Sequence, residues 1–266
     1  MSRQVIDGPL PGLSFVVDRT ENRGGPLVVF LHSAWGAFGD APLGEEVMST
    51  MDVATVHLPG WGLSKGIEHF DDISELALAM WWAVEQLSSE PVVLVGHCLG
   101  GAVAAEMAIT QPTKVRGMVL SNSFGFFNSD YPGADIFGLL PKDVMHLVYL
   151  DPSGSVATTH YPSPTDAYER GLMAIRRVEV LGAASRFIFP LPDTNIAKRA
   201  YRLATVPMTV LFGETDGIVP SDLAFEWSAA FPHAQVKTIA QTAHMTPYES
   251  GVLGTEVSFL AAAAAR

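Results

Sequence analysis

A chain of 266 residues, 48% hydrophobic and 17% charged, holds enough apolar side chains for a sizeable core, and that length suits one domain or a core with one inserted subdomain. Its net charge of −12 argues against nucleic acid and anionic membranes as partners, because both select clustered basic surface. The only cysteine, Cys98, rules out an intramolecular disulfide and a thiolate-rich zinc site.

Residues 1–11 lack a basic stretch followed by an apolar run, and no apolar segment is long enough to span a bilayer as a helix, so a soluble, cytoplasmic protein is expected. Residues 13–18 read as a strand, with a turn at 22–26. Residues 27–31 form a short apolar, β-branched run, the pattern of a strand buried on both faces. Residues 53–57 repeat it and end at the Pro59-Gly60 turn. Asp72 and Glu75 form a capping box, after which Ile73, Leu76, Ala77, Met80, Trp81, Val84 and Leu87 keep helical spacing. Pro91 halts that register and residues 92–95 form another buried strand. A small-residue helix runs from the next turn through Ile109, and residues 115–120 are the following strand. Alternating strands and helices predict a mostly parallel sheet with helices on both faces. From Phe124 to about Arg202 the rhythm stops, and aromatic residues, prolines and short helical patterns such as 168–180 predict a helical cap. Alternation resumes with a strand at 208–212, a helix near 223–230, a strand near 235–239 and a final helix over 247–265.

The sharpest chemical signal is Gly96-His97-Cys98-Leu99-Gly100 between a buried strand and a helix. It is a G-x-S-x-G nucleophile elbow with sulfur in place of oxygen. The turn strains the central residue and exposes its side chain above the sheet, while the glycines avoid collision with neighbouring backbone. The helix start aims free N–H groups at the thiol, and Leu99 N–H is an expected oxyanion donor. The alternative is that Cys98 is a small buried hydrophobe. A thiol nucleophile needs a base, and the base an orienting acid. His244 and Asp216 lie in loops after later strands, in the chain order nucleophile, acid, histidine. Glu214 is the rival acid; Asn122, at another strand tip, is an amide and cannot serve as one. The second oxyanion donor is expected at Ala34, after the first buried strand. Ser33 either adds a hydroxyl there or restricts the loop. Trp35 and Trp61 either wall the pocket or simply pack. His32, His57 and His97 are read as structural. No metal-ligand spacing appears, so no metal and no cofactor are expected.

These segments resemble the α/β hydrolase family across nearly the whole chain. The resemblance rests on His32 to Gly36, Leu58-Pro59-Gly60-Trp61-Gly62-Leu63-Ser64, the elbow, Gly213 to Pro220, and Ala243-His244-Met245-Thr246-Pro247-Tyr248-Glu249. It implies an α/β-hydrolase fold, a mostly parallel central sheet with helices on both faces and an inserted helical cap, divided as core 1–122, cap 123–202 and core 203–266. The junction after the cap is similar to the esterase, lactonase and carbon–carbon-bond hydrolase branch. Ser33 stands where glycine is usual, and the loop is shorter than in the carbon–carbon hydrolases. Cysteine stands where that branch has serine, either as a native thiol nucleophile, as in dienelactone hydrolases, or as a replacement, or in a relative without turnover. The expected activity is hydrolysis of an ester, lactone or thioester through Cys98, His244 and Asp216, with Ala34 and Leu99 as the oxyanion hole. Acyl transfer, a receptor-like binding role, and carbon–carbon hydrolase or lyase chemistry are the alternatives. The expected partner is a medium-sized, largely apolar small molecule, lined by Ser33, Trp35, Phe124, Phe127, Phe137 and Met145, with a homodimer left open.

Overall fold

The computed structural model describes residues 1–20 and 25–263. Eight strands form one sheet: β1 (Ser2–Asp7), β2 (Ser14–Arg19), β3 (Leu27–Leu31), β4 (Asp52–Val56), β5 (Val92–His97), β6 (Val115–Ser121), β7 (Met208–Gly213) and β8 (Gln235–Ile239), in the order β1-β2-β4-β3-β5-β6-β7-β8. β1 and β2 pair antiparallel, as do β2 and β4; every pairing from β4 to β8 is parallel. The expected α/β architecture is therefore present. The central runs form strands because their β-branched residues fill both faces of a covered sheet.

Helices α1 (Gly44–Thr50), α2 (Ile73–Glu85) and α3 (Leu99–Thr110) alternate with the first strands, and α4 (Pro141–Val148), α5 (Ser155–His160) and α6 (Ala167–Ile188) lie between β6 and β7. Next come α7 (Ala224–Ala230), α8 (Thr246–Ser250) and α9 (Val252–Ala263). The two-residue period of the strands sorts side chains to two cores. Val28, Phe30, Val53, Val93, Val95 and Val119 pack with Val47 of α1 and Leu253, Val257 and Leu260 of α9. Val29, Leu31, Ala54, Leu94, Met118, Leu120 and Val210 pack on the opposite face with α2, α3 and the segment between β6 and β7. Asp72 caps α2 by accepting from the Ser74 and Glu75 N–H groups at 2.8 and 2.9 Å, while Glu75 reaches back to the Asp71 N–H, one residue before the reciprocal partner of a capping box.

The structure adds β1, whose residues are almost all exposed, so no burial pattern marks it in the sequence. The 168–180 pattern is the first part of a longer helix, α6. The expected continuous last helix is instead broken at Gly251, which adopts φ 67° between α8 and α9; the left-handed region suits glycine and ends a helix. Its last expected residues, 264 and 265, and the start of the expected turn at Asn22 lie outside the described residues. Among the described residues no helix is long and apolar enough to cross a membrane.

Candidate active site

β5 runs directly into α3, and the junction residue is Cys98, at φ 58° and ψ −118°. Such backbone costs on the order of 1–3 kcal/mol and persists only where surrounding contacts over-determine it. Those contacts are identifiable. The Cys98 N–H donates to the Ser121 carbonyl at 3.0 Å. A Cβ on Gly96 would lie 2.4 Å from the Gly100 oxygen, and one on Gly100 would lie 2.2 Å from the Leu31 oxygen. Only glycine at both positions lets strand and helix approach so closely.

Two further loops meet the elbow at the same end of the sheet. After β7, Asp216 Oδ1 accepts the Ile218 and Val219 N–H groups at 2.8 and 2.9 Å. After β8, His244 Nδ1–H donates to Asp216 Oδ2 at 2.9 Å and Oδ1 at 3.0 Å. That bond fixes the orientation of the ring; Nε2 is buried without a hydrogen-bond partner among the described residues. Burial alone would lower the imidazole pKa, but the Asp216 charge, with a smaller contribution from the neighbouring Cys98, pushes it up to about 10. Glu214, the rival acid, is turned outward and accepts the Gln241 N–H at 3.0 Å.

The loop after β3 is held by a buried imidazole. His32 Nδ1–H donates to the Ser33 carbonyl at 2.8 Å, and Nε2 accepts the Leu58 N–H at 3.1 Å. Burial, aided by the charge of His57, holds His32 down at about 3, so it is neutral at any working pH. The Gly36 N–H donates to the same Ser33 oxygen at 2.9 Å. In a trans peptide the N–H points opposite its C=O, so these bonds aim the Ala34 N–H away from His32. The Trp61 indole N–H donates to the Ala34 carbonyl at 2.8 Å. The Ala34 and Leu99 N–H groups have no acceptor among the described residues. Ser33 Oγ is used inside the turn, donating to the Gly36 carbonyl at 3.2 Å and accepting the Trp35 N–H at 3.3 Å.

The expected exposure of the thiol is not found: Cys98 and His244 both have zero exposure, because the surrounding loops close over the elbow. Trp35 stands edge-on to His244 at 5.5 Å between ring centroids. It also borders a cavity of about 510 Å³ whose walls include Trp61, His57, Asp18, Arg176 and Val180. Of the residues named as possible pocket walls, Trp35 and Trp61 border that cavity, and Ser33, Phe124, Phe127, Phe137 and Met145 do not. Phe124 is buried in the core, while Phe127, Phe137 and Met145 are half-buried, with Phe137 packed edge-on to Phe189 at 5.8 Å.

Three groups given no catalytic role in the sequence, His97, Asn122 and Glu249, and one named only as a possible pocket wall, Trp61, contact the loops of the site. His97 Nε2–H donates to the His244 carbonyl at 2.8 Å, and burial holds this imidazole well below its ordinary pKa. Asn122 Nδ2–H donates to Asp216 Oδ2 at 2.8 Å. Glu249 accepts the Ala243 N–H at 2.7 Å and the Leu150 N–H at 2.8 Å. Trp61 holds Ala34. The signal for Trp61 and Glu249 was their place in the two recurrent loop motifs; for His97 and Asn122 it was adjacency to a strand tip.

A family model described as the alpha/beta hydrolase family matches residues 28–252. A pimeloyl-[acyl-carrier protein] methyl ester esterase of Xanthomonas axonopodis pv. citri (strain 306) is 31% identical over 235 residues, covering 83% of this chain and 88% of that protein. Among solved structures, an esterase from Exiguobacterium antarcticum is similar with a TM-score of 0.74 at 15% identity, over 97% of this chain and 99% of that one. A 2-hydroxy-6-oxo-6-phenylhexa-2,4-dienoate hydrolase from Rhodococcus sp. strain RHA1 gives a TM-score of 0.70 at 17% identity, over 97% and 99%. The last two bear on the fold alone, since one scaffold carries many reactions. Sheet order, strained elbow and a family match running from β3 into α9 agree, and the chain belongs to the alpha/beta hydrolase family.

Proposed function

We propose that the protein hydrolyses a carboxylic ester or a related acyl compound through a covalent intermediate on Cys98. What supports this reading is the buried hydrogen bond between His244 and Asp216, next to the strained elbow that carries Cys98. His244 Nε2 takes the thiol proton and the sulfur attacks the carbonyl carbon. The Leu99 and Ala34 N–H groups receive the oxyanion, a contribution of about 3 kcal/mol per donor in such sites. The imidazolium then protonates the leaving alkoxide or thiolate, a thioester forms on Cys98, and water deprotonated by His244 releases the acid. The relative named as a methyl ester esterase supports an ester as the substrate class. Sulfur is itself a good leaving group, so the tetrahedral intermediate partitions forward best when the departing group is equally stable. Aryl esters, thioesters and lactones should therefore outrun simple alkyl esters.

The test is a panel of p-nitrophenyl esters, lactones, acyl thioesters and alkyl esters, run on the protein and on Cys98→Ala. Turnover confined to the unsubstituted protein, with intact mass showing one acyl group on Cys98, is the expected result. A Cys98→Ala protein that hydrolyses the panel at the original rate overturns the assignment. Faster cleavage of alkyl esters than of thioesters overturns the substrate preference.

A further inference from the structure

The second half of α6 buries Val180, Ala183, Ala184 and Ile188 against the core. Its first half turns apolar side chains the other way. Tyr168, Leu172, Ile175 and Val178 are 74%, 47%, 57% and 72% exposed. Spacings of three and four residues set these four in one stripe along the helix. With about 100° of turn per residue, the stripe lies on the side away from the buried face. Gly171, within it, has open space where a side chain would stand. A contiguous apolar patch of this kind marks an interaction surface.

The charges beside the stripe indicate what covers it. Glu169 and Arg176 are two turns apart, so they share one flank. Both are exposed, and neither has an ion-pair partner among the described residues. In two helices related by a two-fold axis perpendicular to both, the chains run in opposite directions and like flanks face each other. When that axis passes between Leu172 and Met173, Glu169 of each copy is level with Arg176 of the other. The same register interleaves the stripes. Tyr168 falls between Val178 and Ile175 of the second copy, Ile175 falls between that copy's Leu172 and Tyr168, and the two Leu172 side chains meet at the axis. Glu179 comes level with Asp166 of the second copy, whose carboxylate is already occupied in capping its own helix. Charge pairing and apolar packing thus select one register independently.

We propose that the first half of α6 is an interface with a second copy of this chain, the two helices packing antiparallel about a two-fold axis between Leu172 and Met173. Arg176 also borders the cavity walled by Trp35 and Trp61, so Glu169 of the second copy stands at the edge of the candidate site. The contact is small, which places its dissociation constant in the roughly micromolar range. The pairing does not depend on the hydrolytic reading.

The experiment is sedimentation velocity from about 1 to 300 µM, concentrations that bracket that range. It compares the unsubstituted protein with Ile175→Glu, Glu169→Arg, Arg176→Glu and the double reversal Glu169→Arg/Arg176→Glu, each checked for folding by circular dichroism. The unsubstituted protein should pass from one chain to twice that mass as concentration rises. Ile175→Glu sets a charge at the heart of the stripe without touching the buried face and should weaken association at least about 100-fold. Each single reversal turns two attractive pairs into repulsive ones and should weaken it about tenfold, while the double reversal should recover most of that loss. A protein that stays monomeric throughout overturns the proposal. So does a dimer unaffected by Ile175→Glu, or a double reversal no tighter than either single one. Vesicles of phosphatidylcholine form a further arm. Co-sedimentation of a monomer with them, abolished by Ile175→Glu, would assign the stripe to a lipid surface and overturn the proposal as well.

Discussion

The protonation state of His244 is decided by opposing effects of unequal size. Burial strips water from the ring and opposes a charge there, yet the same low dielectric leaves the Asp216 carboxylate unscreened, Cys98 adds in the same direction, and the pKa is carried up to about 10. At neutral pH the ring is therefore favoured as imidazolium. The linkage sign follows. A base whose folded pKa is raised stabilises the fold fully below its unfolded value near 6.5, and that contribution is lost as pH rises through the folded value of about 10. Activity should share the upper limit, because the leaving group needs the imidazolium proton. The alkaline limb of kcat/KM is expected near pH 10, and Asp216→Asn should move it to lower pH by removing the anion that holds the proton. A pH–rate series on both proteins checks this, and a limb that stays in place removes Asp216 as its cause. The residue types of this pair were legible in the sequence because each follows a strand in motif context. The donors on Asp216 were not, because a hydrogen-bond partner 94 positions away leaves no local pattern.

At the scale of elements, the site is fastened by backbone groups at the end of α4. The Gly217 N–H donates to the Leu147 carbonyl and the Met245 N–H to the Val148 carbonyl, both at 3.1 Å, so one short helix secures the acid loop and the histidine loop together. Glu249 repeats that strap from α8: one carboxylate oxygen holds the Ala243 N–H beside His244 and the other holds the Leu150 N–H just past α4. In Glu249→Gln one oxygen is replaced by an NH₂ group that faces a donor. The expected cost is about 1–2 kcal/mol of stability, less than for a fully buried charged bond because Glu249 is partly exposed. Because Ala243 adjoins the base, kcat should fall as well. Urea denaturation together with kcat on an ester tests this, and a variant unchanged in both discards the strap. Strands and the elbow were readable ahead of the structure because period-2 burial and close-packing glycines are local properties. The α4 strap was not, since its bonds run through backbone groups that every residue carries.

For the molecule as a whole, the central strands bury both faces, and the catalytic candidates sit where the parallel strands end, beneath the segment that joins β6 to β7. The fold class was legible because alternation along the chain dictates it. The pocket was not. Aromatic residues between β6 and β7 pack on core or on each other according to tertiary contacts, and only the expected walls from the early loops, Trp35 and Trp61, border the cavity. The closed arrangement has a kinetic consequence. Cys98 has zero exposure, so a reagent reaches it only through an opening of the structure. Trp35 borders the cavity on one side and meets the His244 ring on the other, which places it on the path from solvent to the imidazole. As Cys98 is the only cysteine, thiol labelling reports this site alone. An aromatic disulfide reagent should modify the native protein at least about tenfold more slowly than the urea-unfolded chain, and Trp35→Ala should narrow that gap without lowering the melting temperature in proportion. Labelling of the native protein at the unfolded rate would mean that the site stands open in solution. Equal rates with and without the Trp35 ring would place the route elsewhere.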